Sequence, residues 1–219
     1  MHILPNYSMS EAALLKIDSL SCIRDARILF EHLSLSLYGG QMLLVEGHNG
    51  SGKTSLLRIL TGLKMADEGH IYWHDTAISE QGSDYYERVS YVGHGYGIKR
   101  DLTCLENLRL VQAMGNPSMI DPGDALEQVN LYCYGNTPVS NLSAGQRRRL
   151  SLVRLIAIKA DLWILDEPYA SLDKVSMVLF QSMFEAHLKR GGIIVMTSHH
   201  DIEMPSVDLI RLDLSARRI

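Results

Sequence analysis

The spacing of apolar positions changes repeatedly along the chain. Residues 14–38 alternate in LLKIDSL and again in HLSLSLY, with the charged stretch RDAR between them, which predicts two or three short strands with one buried face. QMLLVEG, residues 41–47, is a short apolar strand that runs into a glycine-rich loop and then into TSLLRILTGL, a helix candidate. HIYWHDTAI, residues 70–78, reads as a strand pair or sheet edge, and RVSYVGH, residues 88–94, as a further strand. From Leu102 to about Ala160 the spacing is helical, broken by the turn-rich stretches GNPS, DPGD and YGNTPVSN. The β/α alternation then returns with DLWILDEP, a helix over 174–190, GGIIVMTSHH and terminal strands in VDLIRLDLS.

A strand, a glycine loop and a helix in that order predict an α/β phosphate-binding core. The expected division is a β-rich part with the glycine loop over 13–98, a helical insertion over 99–160 and the rest of the core over 161–219. Internal repeats and long linkers are absent from the sequence.

Composition narrows the partners. With 46% hydrophobic residues in 219, the chain can bury a sizeable core. A net charge of −4, with basic residues scattered except at Arg147, Arg148 and Arg149, gives no footprint for nucleic acid. Cys22, Cys104 and Cys133 are odd in number and widely spaced, against a disulfide framework or zinc site and in favour of a reducing cytosol. The first residues lack the pattern of an export signal, and no apolar run approaches the roughly 18 residues of a spanning helix. A role at a membrane therefore requires a partner that holds the chain there.

The strongest chemical signal is GHNGSGKT, residues 47–54, a full GxxxxGK[ST] match between a strand and a helix. Gly47, His48, Asn49, Gly50, Ser51 and Gly52 would turn backbone N–H groups toward a triphosphate, with Lys53 on the β- and γ-phosphates and Ser55 in the first helical turn. Thr54 would offer its hydroxyl to Mg²⁺. LWILDEP delivers Asp166 to the carboxyl end of a strand, where it would hold Mg²⁺, largely through water. Glu167 beside it would orient or deprotonate the attacking water. NLSAGQRRRLSLVRL, residues 141–155, reads on its own equally as a Ser-capped helix with a solvated arginine face.

Together these stretches resemble the ATP-binding subunits of ABC transporters along nearly the whole chain. GHNGSGKT resembles their Walker A motif, LSAGQ (Leu142, Ser143, Ala144, Gly145, Gln146) their signature and LWILDEP their Walker B with its catalytic glutamate. SLD, with Asp173, resembles their D-loop, and His199 their switch histidine, while His200 would point the other way. The resemblance implies a P-loop NTPase (RecA-like) core, an N-terminal antiparallel β subdomain and an α-helical signature subdomain. It also implies a head-to-tail homodimer that sandwiches two ATP molecules, with Asp173 sensing the site across the dimer.

Two departures accompany the resemblance. SCIRDAR lacks the aromatic residue that stacks on adenine in the family, which leaves Arg24 as the candidate to stack through its guanidinium. His94 stands where the family has the Q-loop glutamine, a coupling and sensor position. Imidazole is a poor replacement for a carbonyl ligand of Mg²⁺, so His94 is expected to bond to a water or to backbone.

The combination GHxxGIKxxLTxLENL with LSAGQxRRxxLxRL and LWILDEP resembles the ATP-binding subunits of the cytochrome c maturation haem exporter, although position 95, commonly glutamine there, is glycine here. That resemblance implies a peripheral ATPase on the cytoplasmic face of the bacterial inner membrane, with no span of its own. Its partners would be membrane permease subunits equivalent to maturation proteins B and C, and its cycle would release haem-loaded chaperone E. The chain looks like a bare nucleotide-binding domain that borrows its membrane parts. The alternatives are the ATPase of another ABC importer or exporter, or a non-transport ABC ATPase such as one for Fe–S assembly. LSAGQ and His199 argue against a nucleotide kinase or GTP switch, and Lys53 with Glu167 against a non-catalytic module.

Overall fold

The computed structural model describes residues 14–199, 202 and 204–215. The residue pattern first builds a hairpin of β1 (Leu15–Arg24) and β2 (Arg27–Leu37). RDAR is its turn, with Asp25 and Ala26 both at positive φ, the twist that two-residue hairpin loops require. The chain continues through β3 (Gln41–Glu46), α1 (Lys53–Leu60), β4 (Glu68–Trp73), β5 (Thr76–Ala77), α2 (Ile78–Gln81), α3 (Ser83–Tyr86) and β6 (Val89–Val92). Then follow α4 (Cys104–Met114), α5 (Pro122–Gln128), α6 (Ala144–Ala157), β7 (Leu162–Leu165), α7 (Lys174–Lys189), β8 (Ile193–Thr197) and β9 (Asp208–Asp213).

The strands form an antiparallel sheet in the order β2-β1-β4-β5 and a parallel sheet in the order β6-β7-β8-β3-β9. The parallel sheet separates two apolar cores, and strand periodicity decides which residue joins which. Met42, Leu44, Trp163, Leu165, Ile194 and Met196 face the core built with α4 to α7. Their neighbours Leu43, Val45, Leu162, Ile164, Ile193 and Val195 face the core shared with α1 and the antiparallel sheet. Burial on both faces explains why LWIL and IIVM are unbroken apolar runs.

Two sequence expectations are corrected. The strand pair expected over 70–78 forms as β4 and β5 but ends at Ala77, and Ile78 opens α2. The Gln81 side-chain amide donates to the Trp73 and Thr76 carbonyls at 2.7 and 2.8 Å, which closes a turn where periodicity suggested extension. The terminal segment forms a single strand, β9, because Asp213 accepts from the Ser215 amide at 2.7 Å and turns the chain.

On α6 the positions 148, 151, 152 and 155 make one buried stripe of Arg148, Ser151, Leu152 and Leu155. Arg148 therefore contradicts the reading of a solvated arginine face. On α7, His187 lies buried and stacked on Trp163, with ring centroids 3.8 Å apart and planes 10° from parallel. Burial pushes its pKa down to about 4, so the ring is neutral near pH 7.

Candidate nucleotide site

The parallel sheet places the carboxyl ends of β3, β7, β8 and β6 side by side, and each releases one part of the site. Beyond β3, Gly47 and Gly52 have φ of 140° and 107°. A Cβ on Gly47 would lie 2.6 Å from Ser51 Oγ, and one on Gly52 3.0 Å from Leu29 Cβ, so only glycine fits either place. Gly52 caps α1 without a side-chain hydrogen bond, leaving the first-turn N–H groups open to an anion. Ser51 Oγ is buried with no hydrogen-bond partner among the described residues, a second polar group suited to a bound phosphate. Lys53 Nζ donates to the Gly47 carbonyl at 2.6 Å and so lies along the loop.

Beyond β7 come the two acids. Asp166 is buried, accepting from Thr54 Oγ1 at 3.0 Å and from Thr197 Oγ1 at 2.8 Å. A hydroxyl and a carboxylate converging in this way form an oxygen-donor set that fits Mg²⁺. Glu167 has φ of 52°, a left-handed conformation that costs a residue with a Cβ about 1–2 kcal/mol. Its amide donates to Thr197 Oγ1 at 2.9 Å, and its carboxylate Oε2 accepts from the His199 amide at 3.1 Å. His199 Nε2 stands 3.4 Å from Glu167 Oε1, an oxygen that is buried and lacks a hydrogen bond among the described residues.

One open cavity of about 960 Å³ collects Asn49, Gly50, Gly52, Lys53, Thr54, Ser55, His94, Asp166, Glu167 and His199. Gly47, His48 and Ser51 form the rest of the loop, with the His48 ring against the Asn49 carbonyl at 2.8 Å. Arg24, Arg27 and Leu29 of the hairpin close another side of the cavity. Arg24 is exposed and pairs with Asp25 at 3.4 Å. His94 follows β6 after Gly93 and is exposed at the rim.

The signature residues lie outside this cavity. Ser143 caps α6, accepting the Gln146 amide at 3.2 Å, while Gln146 Oε1 accepts the Ser143 amide at 2.8 Å. Leu142 is buried before the cap, and Ala144 and Gly145 form the first turn, where a Cβ on Gly145 would come within 3.1 Å of the Ser171 carbonyl. Asp173 also lies outside the cavity: it caps α7 by accepting the Ser176 amide at 2.7 Å, a bond that holds its carboxyl below the usual range. His200 lies outside the described residues.

Sequence reasoning missed Thr197 and Arg148. A polar residue ending an otherwise apolar buried strand was the signal for Thr197, and the helical stripe was the signal for Arg148.

Comparison with known proteins identifies the family. The ABC transporter family matches residues 30–170. The chain is 43% identical over 212 residues to the cytochrome c biogenesis ATP-binding export protein CcmA of Haemophilus influenzae, covering 95% of this chain and 98% of that one. It is 41% identical over 214 residues to the protein of the same name from Photobacterium profundum, covering 92% and 99%. Among solved structures, an ABC transporter ATP-binding protein of Pyrococcus furiosus superposes with a TM-score of 0.78 at 23% identity, over 91% of this chain and 96% of that one. This likeness shows a common fold. The chain belongs to the ABC transporter family and, within it, to the cytochrome c biogenesis ATP-binding export proteins.

Proposed function

We propose that this chain is the ATP-hydrolysing subunit of a haem exporter complex for c-type cytochrome biogenesis, whose cycle releases haem-loaded chaperone E. The observation that carries the reading is the convergence of Lys53, Thr54, Asp166, Glu167 and His199 on one cavity at the carboxyl ends of the parallel strands. None of the relatives described above is named for Fe–S assembly.

In this reading the glycine loop and the α1 terminus bind the phosphates of ATP, and Lys53 turns from the Gly47 carbonyl to the β- and γ-phosphates. Thr54 and Asp166 would hold Mg²⁺, which when bound neutralises charge on the phosphate oxygens. Glu167, whose buried Oε1 lies beside His199 Nε2 at 3.4 Å, accepts a proton from water as that water attacks the γ-phosphorus and the bond to the bridging oxygen of ADP breaks. The His199 amide fixes the other carboxylate oxygen, so Glu167 presents one orientation. Arg24 supplies a planar surface for the base.

The signature acts across a head-to-tail homodimer. Ser143 uses a lone pair to cap α6, which leaves its O–H free to donate to the γ-phosphate held by the partner subunit. Asp173 and His94 report the state of that composite site.

Among the described residues no helix is long and apolar enough to cross a membrane. The reading places the chain on the cytoplasmic face of the inner membrane, bound to permease subunits equivalent to maturation proteins B and C. Affinity purification of the tagged chain from detergent-solubilised membranes tests it. Co-purification of those subunits is expected, and recovery of Fe–S scaffold proteins in their place overturns it.

A further inference from the structure

Arg148 is the most buried cation of the described residues, at 1% exposure, and no carboxylate side chain is bonded to it. Its guanidinium instead gathers main-chain carbonyls. Nε donates to Pro168 O at 2.9 Å, one terminal nitrogen to Asp166 O at 2.9 Å and to Glu167 O, and the other to Gly93 O at 3.2 Å. Three consecutive carbonyls cannot point to one group from an extended strand, where they alternate in direction. They do so here because Glu167 sits at φ of 52°.

The cation thus compensates the left-handed conformation at the residue that presents the carboxylate. Charge-assisted hydrogen bonds are about twice as strong as neutral ones, and in a buried setting they fix geometry as well as contribute energy. The fourth carbonyl, Gly93 O, immediately precedes His94. A second arginine of the same helix, Arg154, donates to Gly97 O at 2.8 Å and Tyr96 O at 3.3 Å, so α6 holds the segment carrying His94 on both sides. Arg148 also lies five residues from Ser143, about 7.5 Å along the helix axis.

We propose that Arg148 is a positioning residue that ties the helix headed by Ser143 to the Glu167 turn and to the His94 segment, so that the placement of the acid and of the loop depends on that helix. Arg148 touches neither substrate nor reacting atoms; it acts through main-chain carbonyls. The proposal rests on the assignment of Glu167 as the base that activates water.

The test is single-turnover ATP hydrolysis by the full-length purified chain, at protein concentrations high enough to favour the dimer, with Arg148→Lys, Arg148→Met and Arg148→Ala. ATP affinity is measured in parallel with a fluorescent ATP analogue. A misplaced reacting group costs on the order of 100-fold in rate, so a loss of about that size is expected in Arg148→Met, with ATP affinity within about threefold of wild type. Arg148→Lys should recover part of the rate. Millimolar guanidinium should raise the rate of Arg148→Ala, and equal ammonium should not.

A wild-type rate in Arg148→Met overturns the proposal. So does a parallel loss of rate and ATP affinity in Arg148→Lys with no rescue of Arg148→Ala by guanidinium, the pattern of a purely structural residue. Glu167→Gln is run alongside: if it hydrolyses ATP at the wild-type rate, the assignment of the base fails, whatever the Arg148 variants do.

Discussion

Thr197 and Asp166 meet through a 2.8 Å hydrogen bond, with the Thr197 hydroxyl donating to Oδ1, and the same hydroxyl accepts the Glu167 amide at 2.9 Å. One side chain from β8 thereby orients both acids at the end of β7. Thr197 is fully buried, so removing its hydroxyl leaves a buried amide and a carboxylate oxygen without that partner. Thr197→Val should lower unfolding free energy by about 1–3 kcal/mol, and Thr197→Ser by less than about 1 kcal/mol. Urea denaturation checks both, and equal midpoints for wild type and Thr197→Val would remove the hydroxyl from the account.

The composite site predicts a specific pair of variants. Glu167→Gln should lose at least about 100-fold in turnover while still binding ATP. Held in that state, the chain should elute as a dimer in gel filtration with ATP and as a monomer without it. Adding Ser143→Arg should abolish the ATP-dependent dimer, because the longer side chain occupies the space of the phosphate opposite. A dimer that persists in the double variant removes the signature from the interface.

His187 predicts a pH dependence away from the nucleotide. Its pKa falls from 6.5 to about 4 on folding, so between those values the unfolded chain binds the proton and the folded chain does not. Its contribution is therefore complete above about pH 6.5 and is lost as pH falls toward 4. The slope reaches about 1 kcal/mol per pH unit in that window. His187→Phe, which can still stack on Trp163, should flatten the acid limb of a stability profile measured by urea unfolding.

Much of this architecture was legible because phosphate binding dictates residue types at fixed spacing. GHNGSGKT needs glycine where Gly47 and Gly52 have no room for a Cβ, and Asp166 needs a buried strand to deliver it. The apolar runs of β7 and β8 announced strands buried on both faces. The rest depends on contacts between elements distant in sequence. Arg148 has the composition of a surface residue, and only the stripe it shares with Leu152 and Leu155 marks it as internal. Ile78 continues an apolar pattern that cannot reveal the Gln81 side chain folding back on Trp73. Asp173 was legible in part: an Asp directly before the helix expected from 174 is an N-cap signal, and it caps α7.

The most direct test of the central claim is the amount of covalently bound haem in c-type cytochromes of source cells from which this chain has been deleted. Deletion should abolish that haem, wild type supplied in trans should restore it, and Glu167→Gln expressed at the same level should not. Full restoration by Glu167→Gln, or cytochromes unchanged by the deletion, would contradict the account.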